Sequence, residues 1–340
     1  MSKEGLIVED LSISFVQRQL EVVTGVSLRI GRGEALGLVG ESGSGKSLTA
    51  RAILGLLPRG AVASGRIMFD GSSLLDLAAR EMQKLRGARV AMIFQDPMSS
   101  LNPVLRVGTA IAQVIQSHER VGAGEAHRRA VALMDRVGIR DAQERSHAYP
   151  HQFSGGMRQR IMIAMALAAN PSLLLADEPT TALDVVVQAG ILRLLTDLRH
   201  EKGMGLLLVS HDLAVVGRVS DRVAVMYAGQ IVEEGPTSEV LFRPHMPYTV
   251  GLIASVRRDR AAARLSSISG SPPAPGSTSA GCRFAPRCPL AIDACRRNAI
   301  PAVPIGPGHW ARCIRTEDAQ ALTAADFAAA RVPGGERANV

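Results

Sequence analysis

The sequence predicts an α/β fold whose core is a mainly parallel sheet. Helical and strand periods alternate from Gly155 to Ser210, which is the order found in doubly wound sheets. An apolar run, residues 35–39, leads into a glycine-rich turn and a helical segment. The chain has 340 residues, 46% of them hydrophobic and 21% charged, which is enough for one large core with an appendage.

The N-terminal segments predict an antiparallel sheet. Residues 6–15 form an extended run, and Val26, Leu28 and Ile30 alternate with polar neighbours. Alternation with a period of two is typical of a strand with one exposed face. Residues 35–39 are apolar throughout and predict a buried strand.

Helices follow, first after the glycine-rich turn and then in an insertion. Residues 46–57 predict a helix that Pro58 ends, because proline cannot continue a helix. Residues 88–94 predict a further strand. Two helical patterns, 104–116 and 125–137, are flanked by loop residues and predict a helical insertion.

The second half of the chain predicts alternating elements of the parallel sheet. They are a helix at 155–169, a strand at 173–176, a helix at 185–200 and a strand at 206–210. Residues 265–281 are rich in Ser, Pro and Gly and predict a linker. All four cysteines follow this linker.

The net charge of +8 is concentrated near the C-terminus. Residues 251–340 carry twelve arginines, no lysine and six acidic residues. Such a tail suits nucleic acid, an anionic membrane face or a local negative group, or it is simply a solvated surface. Aromatic residues make up only 3% of the chain, whereas single-stranded nucleic acid usually stacks on aromatic side chains. The composition therefore disfavours nucleic acid.

The sequence predicts a cytoplasmic protein. Its longest apolar stretch, residues 161–169, is far shorter than the roughly 20 residues that span a bilayer. The first ten residues also lack the apolar core of a signal peptide.

Residues 40–47 read GESGSGKS and fit the pattern G-x-x-x-x-G-K-[ST] between a strand and a helix. Glycines let backbone N–H groups and the helix N-terminus face a phosphate. Lys46 is placed to reach the β- and γ-phosphates and Ser47 to hold Mg²⁺. The pattern predicts a nucleotide site.

Two acidic residues follow an apolar strand. Asp177 is placed to approach a metal ion, and Glu178 to polarise an attacking water. Such a pair is common at strand ends, but together with the glycine-rich loop it indicates a hydrolytic nucleotide site. Between the two motifs, Ser154-Gly155-Gly156 opens a helix whose N-terminus also suits an anion.

These motifs, in this order, resemble those of the ABC ATPase family over residues 5–255. The matching motifs are the loop at 40–47, Gln95 of the Q-loop, the signature FSGGMRQR at 153–160, LLLADE at 173–178, the D-loop at 181–184 and the switch histidine His211. The resemblance implies a P-loop ABC ATPase fold: an α/β RecA-like core, an antiparallel N-terminal sheet and a helical subdomain.

The resemblance also implies a head-to-tail dimer with ATP between the loop of one subunit and the signature of the other. It assigns Glu178 as the general base, with Gln95 and His211 as further catalytic residues. The implied Mg²⁺ residues are Ser47, Gln95 and Asp177. The implied residues acting on the partner's site are Ser154, Gly155 and Gly156 of the signature and Asp184 of the D-loop. The implied ATP-binding residues are Gly40, Ser42, Gly43, Ser44, Gly45, Lys46, Ser47, Leu48 and Phe15. At Phe15 the family commonly has Tyr or Trp.

Three longer strings resemble the oligopeptide/dipeptide importer branch of the family. They are VGESGSGKS at 39–47, IFQDPMSSLNP at 93–103 and PHMPYT at 244–249. The resemblance implies an ATP-hydrolysing subunit on the cytoplasmic face of the plasma (inner) membrane. Its implied partners are a paralogous ATPase, two membrane permease subunits and, indirectly, an extracytoplasmic peptide-binding protein, with no nucleic acid. Nickel or glutathione importers stay an alternative, as does a soluble ABC ATPase acting on nucleic acid or ribosomes.

Cys282, Cys288, Cys295 and Cys313 form a C-terminal cluster in the sequence. Disulfides are disfavoured in a cytosolic chain, so the thiols suggest a metal site or packing cysteines. Their spacing fits neither structural zinc nor bacterial ferredoxins and leaves the metal open. The segment resembles the C-terminal extension of peptide-importer ATPases, which implies a four-iron four-sulfur cluster. Zinc or no metal stays an alternative, and His309 is a conceivable alternative ligand.

The predicted domain organisation follows from these motifs. We expect an ABC nucleotide-binding domain at 1–255, with its helical subdomain at about 97–158. A linker at 256–281, a cysteine-containing extension at 282–320 and a tail at 321–340 follow.

Overall fold

The computed structural model describes residues 5–181, 183–256, 268–277 and 280–329. Ala182 of the predicted D-loop lies outside the described residues. So do residues 257–267, 278 and 279 of the predicted linker and 330–340 of the predicted tail. The structure confirms the α/β class.

The strands of the described residues belong to two sheets. They are β1 Leu6–Phe15, β2 Leu20–Ile30, β3 Ala35–Val39, β4 Ala61–Phe69, β5 Ser72–Ser73, β6 Val90–Ile93, β7 Leu173–Asp177, β8 Gly205–Ser210, β9 Arg222–Tyr227, β10 Gln230–Pro236, β11 Val303–Gly306 and β12 His309–Ala311.

The helices lie between and beside these strands. They are α1 Lys46–Ile53, α2 Ala79–Leu85, α3 Pro97–Ser100, α4 Val107–His118, α5 Ala123–Arg136, α6 Ala142–Arg145, α7 Gly155–Leu167, α8 Val185–Lys202, α9 Leu213–Val219, α10 Thr237–Phe242, α11 Pro247–Val256, α12 Asp293–Arg297, α13 Thr316–Ala319 and α14 Ala324–Ala329.

The larger sheet has the strand order β11-β12-β10-β9-β3-β8-β7-β6. Neighbouring strands from β9 through β3, β8 and β7 to β6 are parallel, whereas β10, β12 and β11 add antiparallel pairs at one edge. The smaller sheet, β2-β1-β4-β5, is antiparallel, as the alternating N-terminal pattern predicts.

The larger sheet buries an apolar core on each face. One core joins it to the antiparallel sheet through fully buried side chains such as Leu11, Ile13 and Leu36. The other joins it to the helices, including the insertion, where Ile111 and Ile115 are fully buried. The parallel strands β3, β6, β7 and β8 are apolar at almost every position because both of their faces are covered.

Two helix boundaries differ from the sequence prediction. Helix α1 ends at Ile53, well before Pro58. Gly55 has φ +61° and its N–H bonds to the Ala52 carbonyl, so a left-handed glycine terminates the helix before proline acts. Helix α4 begins at Val107 rather than at 104, because Val104 donates to the Asn102 side chain in a turn that takes up these positions.

Several strands have no counterpart in the sequence prediction. Strands β4, β9 and β10 complete the two sheets, and the hairpin β11–β12 carries the C-terminal region onto β10 through the pairs Glu233–Ala311 and Glu234–Trp310. Among the described residues, no helix combines the length and apolar character that crossing a membrane requires.

Candidate functional site

The glycine-rich loop wraps the side chain of Lys46 at the carboxyl end of β3. The Lys46 ammonium donates to the carbonyls of Gly40 and Glu41, each at 2.8 Å, and is 5% exposed. Gly43 and Gly45 have φ values of +79° and +104°, a region that L side chains rarely adopt. The loop therefore needs glycine for its shape, and that shape places Lys46.

Burial dominates the ionisation of Lys46. It lowers the pKa of the ammonium, although the nearby carboxylates of Glu178, Asp177 and Glu41 raise it. The carboxylates and the two loop carbonyls compensate the buried ammonium in part, and an anion bound in the loop would compensate it further.

Ser47 and Asp177 join the loop to the end of β7. Ser47 Oγ donates to Asp177 Oδ1 at 2.8 Å. Asp177 is fully buried and its Oδ2 has no hydrogen-bond partner among the described residues. Burial raises the pKa of Asp177, against the lowering effects of Ser47 and of the nearby Arg51. A buried carboxylate oxygen without a hydrogen-bond partner suits a cation as its ligand.

Glu178 lies at the centre of a hydrogen-bonded cluster. Its Oε2 accepts from Gln95 Nε2 at 3.0 Å and from Thr181 Oγ1 at 2.8 Å, and its Oε1 lies 3.2 Å from His211 Nδ1. Burial alone raises the pKa of Glu178, but the hydrogen bonds from Thr181 and His211 outweigh it and hold the pKa below its usual value. The carboxylate is therefore ionised and held in one orientation.

Strand register explains why these groups meet. Val39 of β3 lies opposite Ser210 of β8, and Asp177 of β7 lies opposite Val209. The Glu178 N–H donates to the Val209 carbonyl at 2.9 Å. The loop, the two acids and His211 thus leave the sheet at the same edge, where ligands of parallel α/β sheets bind.

The signature and D-loop residues form a second group. Ser154 caps α7 by accepting from the Met157 N–H, and a Cβ at Gly156 would lie 2.6 Å from Val187 of α8. Asp184 caps α8 and is exposed, and the next two residues, Val185 and Val186, are 76% and 82% exposed. The side-chain hydrogen bonds of Ser154 and Asp184 are to their own helices. Among the described residues, the structure therefore does not unite this group with the glycine-rich loop of the same chain.

Two residues that the resemblance assigns to ATP binding, Leu48 and Phe15, take no part in the hydrogen bonds described above. Leu48 is partly buried and packs on the core shared with the antiparallel sheet. Phe15 ends β1 opposite Leu20 and Ala61 and is half-buried. The small cavity at the loop is lined instead by Val22 and by residues 272–277, so adenine stacking on Phe15 stays a prediction.

Thr181 is a functional contact outside the residues predicted to act on Glu178, since its hydroxyl donates to Glu178 Oε2. The signal in the sequence is a hydroxyl three residues after the strand-end acid.

A groove of about 590 Å³ beside Gln95 was not predicted either. The groove is lined by Arg51 and Phe94 of the core and by Val114, Met162 and Met165 of the helical region, with other neighbours.

The four cysteines line one small apolar cavity, of about 20 Å³. Burial raises the pKa of the Cys282 thiol, and raises those of Cys288 and Cys313 to about 12 and about 11. No group of three His, Cys, Asp or Glu side chains in the described ranges is arranged to hold a metal ion. His309 instead bonds the buried Glu233 at 2.9 Å, away from the thiols' common cavity.

Comparison with known proteins identifies relatives for almost the whole chain. A family model described as "ABC transporter" matches residues 23–181, and one described as "Oligopeptide/dipeptide transporter, C-terminal region" matches residues 232–295. The chain is 48% identical over 327 residues to the oligopeptide transport ATP-binding protein OppD of Mycobacterium bovis. That match covers 95% of this chain and 53% of the relative, so the chain spans about half the relative's length.

Another relative is similar in length to this chain. It is a probable peptide ABC transporter ATP-binding protein, y4tR of Sinorhizobium fredii, with 47% identity covering 92% of this chain and 95% of that protein. A solved dimeric bacterial ABC transporter cassette has a TM-score of 0.62 at 28% identity, covering 68% of this chain and 98% of its own. A post-hydrolysis state of that cassette, bound to ADP and Pi, matches equally well. These similarities confirm the predicted fold.

We predict that Asp177→Asn stabilises the chain in the absence of nucleotide and divalent cations. The substitution removes a buried charge while the remaining carbonyl can still accept from Ser47, and the amide N–H group takes the place of the unpartnered Oδ2. We expect the loss of the charge to outweigh the cost of this buried donor, so the free energy of unfolding should rise by about 1 kcal/mol. Urea unfolding in EDTA measures the change. Asp197→Asn, on the exposed face of α8, is the matched control and should change little. A lower stability of Asp177→Asn would mean that the native charge is already compensated.

Proposed function

The chain belongs to the ABC transporter ATP-binding family, in its oligopeptide/dipeptide branch, and from this premise we propose that it binds and hydrolyses ATP to energise peptide import. The observation that carries the proposal is the cluster at one sheet edge. There Lys46, Ser47, Asp177 and Glu178 meet, with Gln95 and His211 bonded to Glu178.

Each group in the cluster has a role in the proposed hydrolysis. The loop N–H groups and Lys46 bind the phosphates of ATP. Ser47, Asp177 and Gln95 would hold Mg²⁺, and the unpartnered Oδ2 of Asp177 supports that assignment. Bound Mg²⁺ would neutralise charge on the phosphate oxygens.

Glu178 is the proposed general base. Its lowered pKa keeps it ionised at neutral pH, so it can accept a proton from the attacking water. Gln95 and Thr181 fix one carboxylate oxygen and His211 contacts the other. We assign Gln95 and His211 to orienting water and phosphate at this carboxylate.

We propose that the ATP site is completed by a second subunit. Ser154, Gly155 and Asp184 are exposed, and the adjoining Val185 and Val186 are largely exposed apolar side chains. These two adjacent valines leave apolar surface beside the exposed Ser154, Gly155 and Asp184 that a partner would cover. The signature of one subunit would then face the loop of the other, and a paralogous ATPase is the proposed partner. The dimeric form of the similar solved cassette supports this arrangement.

Membrane permease subunits are the proposed second partners, with the chain bound peripherally at the cytoplasmic face of the plasma (inner) membrane. The groove of about 590 Å³ beside Gln95 supports this proposal. It lies between the core and the helical region, and a permease segment that fills it would contact the Q-loop directly.

Peptides are the proposed cargo, delivered by an extracytoplasmic binding protein. The match of residues 232–295 to the oligopeptide/dipeptide C-terminal region supports this choice over nickel or glutathione.

We further propose a four-iron four-sulfur cluster at the four cysteines. Their thiols share one cavity, and cysteine thiolates are the donors such a cluster requires. The resemblance of this segment to the C-terminal extension of peptide-importer ATPases is the reason for preferring a cluster to zinc.

We predict that Glu178→Gln binds ATP but loses turnover, because the amide cannot accept the proton. The complex reconstituted with its partners should lose at least about a hundredfold in ATPase rate, while bound ATP is retained in equilibrium binding. Glu144→Gln, at an exposed position of α6, is the control and should hydrolyse ATP normally. Normal turnover in Glu178→Gln would refute the assignment of the base.

We predict that peptide-loaded binding protein stimulates the ATPase of the reconstituted transporter. The same assay with nickel or glutathione and their binding proteins is the comparison. Stimulation only by nickel or glutathione would overturn the choice of peptide and leave the ATPase intact.

We predict that the chain purified without oxygen contains about four iron and four acid-labile sulfide per chain, which Cys288→Ser lowers. Metal analysis and the visible absorption spectrum measure this. Zinc alone, or no metal in the wild-type protein, would contradict the cluster.

A further inference from the structure

Arg287 of the C-terminal region contacts the phosphate-binding loop directly. Its guanidinium pairs with both carboxylate oxygens of Glu41, Nη1 to Oε2 at 2.8 Å and Nη2 to Oε1 at 3.0 Å. Glu41 is the second residue of the loop, a position that the sequence pattern leaves open. The two residues are 246 positions apart, so the contact joins distant parts of the described chain.

The position of Arg287 is fully determined by its surroundings. Its side chain is 4% exposed. Besides the two bonds to Glu41, Nε donates to the Ser269 carbonyl at 3.0 Å, Nη2 to the Ile268 carbonyl at 3.2 Å and Nη1 to Tyr227 Oη at 3.3 Å. All five N–H donors of the guanidinium thus have acceptors, which fixes the orientation of the fork toward Glu41.

Glu41 in turn holds Lys46. Its carbonyl accepts from the Lys46 ammonium at 2.8 Å, and its N–H donates to Tyr248 Oη at 2.8 Å. The side chain, the N–H and the carbonyl of Glu41 are therefore all bonded. A shift of Glu41 would move one of the two carbonyls that hold Lys46.

The contact between Arg287 and Glu41 also has an electrostatic effect, because Glu41 is negatively charged. Its carboxylate stands in a loop proposed to bind the phosphates of ATP, and two negative groups at short range repel each other strongly in a partly desolvated site. The Glu41 side chain is 24% exposed, so water screens it only in part. The paired guanidinium of Arg287 cancels this charge.

We propose that Arg287 is a positioning residue of the ATP site. Its larger effect is to neutralise the Glu41 carboxylate beside the phosphates, and its smaller effect is to hold the Glu41 side chain in place. The inference rests on the proposed binding of ATP at this loop, and it makes the cysteine-bearing region part of the nucleotide site.

The test compares ATP binding by the full chain, measured by calorimetry, in four proteins: wild type, Arg287→Met, Glu41→Gln and the double variant. Arg287→Met leaves the Glu41 carboxylate unpaired and should weaken ATP binding about tenfold or more. Glu41→Gln removes the repelling charge and should stay within about threefold of wild type. The double variant should recover most of the loss, because neither charge remains.

Arg312→Met is the matched control. Arg312 also lies in the C-terminal region and is partly buried, but it donates to the carbonyls of Ile231 and Ile300 rather than to the loop. This variant should bind ATP like wild type. Circular dichroism and thermal unfolding establish that each variant is folded. If Arg287→Met does not fold, Arg287→Gln takes its place with the same expected loss.

Steady-state kinetics of the reconstituted transporter distinguish a loss of ATP affinity from a general loss of active protein. Because Arg287 does not contact the Glu178 cluster, its loss should raise the KM for ATP by about the factor seen in binding, with kcat reduced less than about twofold. Equal ATP affinity of wild type and Arg287→Met, or a double variant that binds no better than Arg287→Met, would overturn the inference alone. Failure of the wild-type chain to bind ATP would overturn the proposed function and the inference together.

Discussion

The parallel pairing of β3, β8 and β7 is the constraint on which the site depends. With Val39 opposite Ser210 and Asp177 opposite Val209, the glycine-rich loop, the acidic pair and His211 are delivered to one edge of the sheet. The strands themselves are buried on both faces, where backbone hydrogen bonds are strong and costly to break. Main-chain geometry thus brings the groups close, and short side-chain contacts such as Ser47 to Asp177 complete the arrangement.

The same edge of the sheet carries buried charged groups, and burial disfavours the charged forms of Lys46 and Asp177. Burial lowers the pKa of Lys46 and raises that of Asp177, whereas the hydrogen bonds of Glu178 hold its pKa low despite burial. The pKa values of the two adjacent carboxylates shift in opposite directions, which suits them to different tasks. Asp177 is suited to binding a cation and Glu178 to accepting a proton. The large apolar cores on both faces of the sheet supply the stability that these buried charges reduce.

The C-terminal region is continuous with the body of the molecule. Its hairpin extends the main sheet from β10, and the buried Glu233 accepts from His309 on that hairpin and from the N–H groups of His245 and Met246. Phe284 is fully buried against Tyr227 and Tyr248. These contacts place Arg287 beside the loop and give the four cysteines a shared cavity.

The sequence by itself determined the strands β3, β6, β7 and β8 with the helices between them, the glycine-rich loop and the strand-end acids, because periodicity and short motifs are local properties of the chain. It placed the end of α1 at Pro58, whereas the hydrogen bond of Gly55 ends the helix earlier. It could not pair β10 with β12 or Thr181 with Glu178, and it gave no sign of the contact between Glu41 and Arg287. Only the tertiary structure decided these, because the partner of a strand edge or of a buried charge is set by which distant groups the folded chain brings within hydrogen-bonding distance.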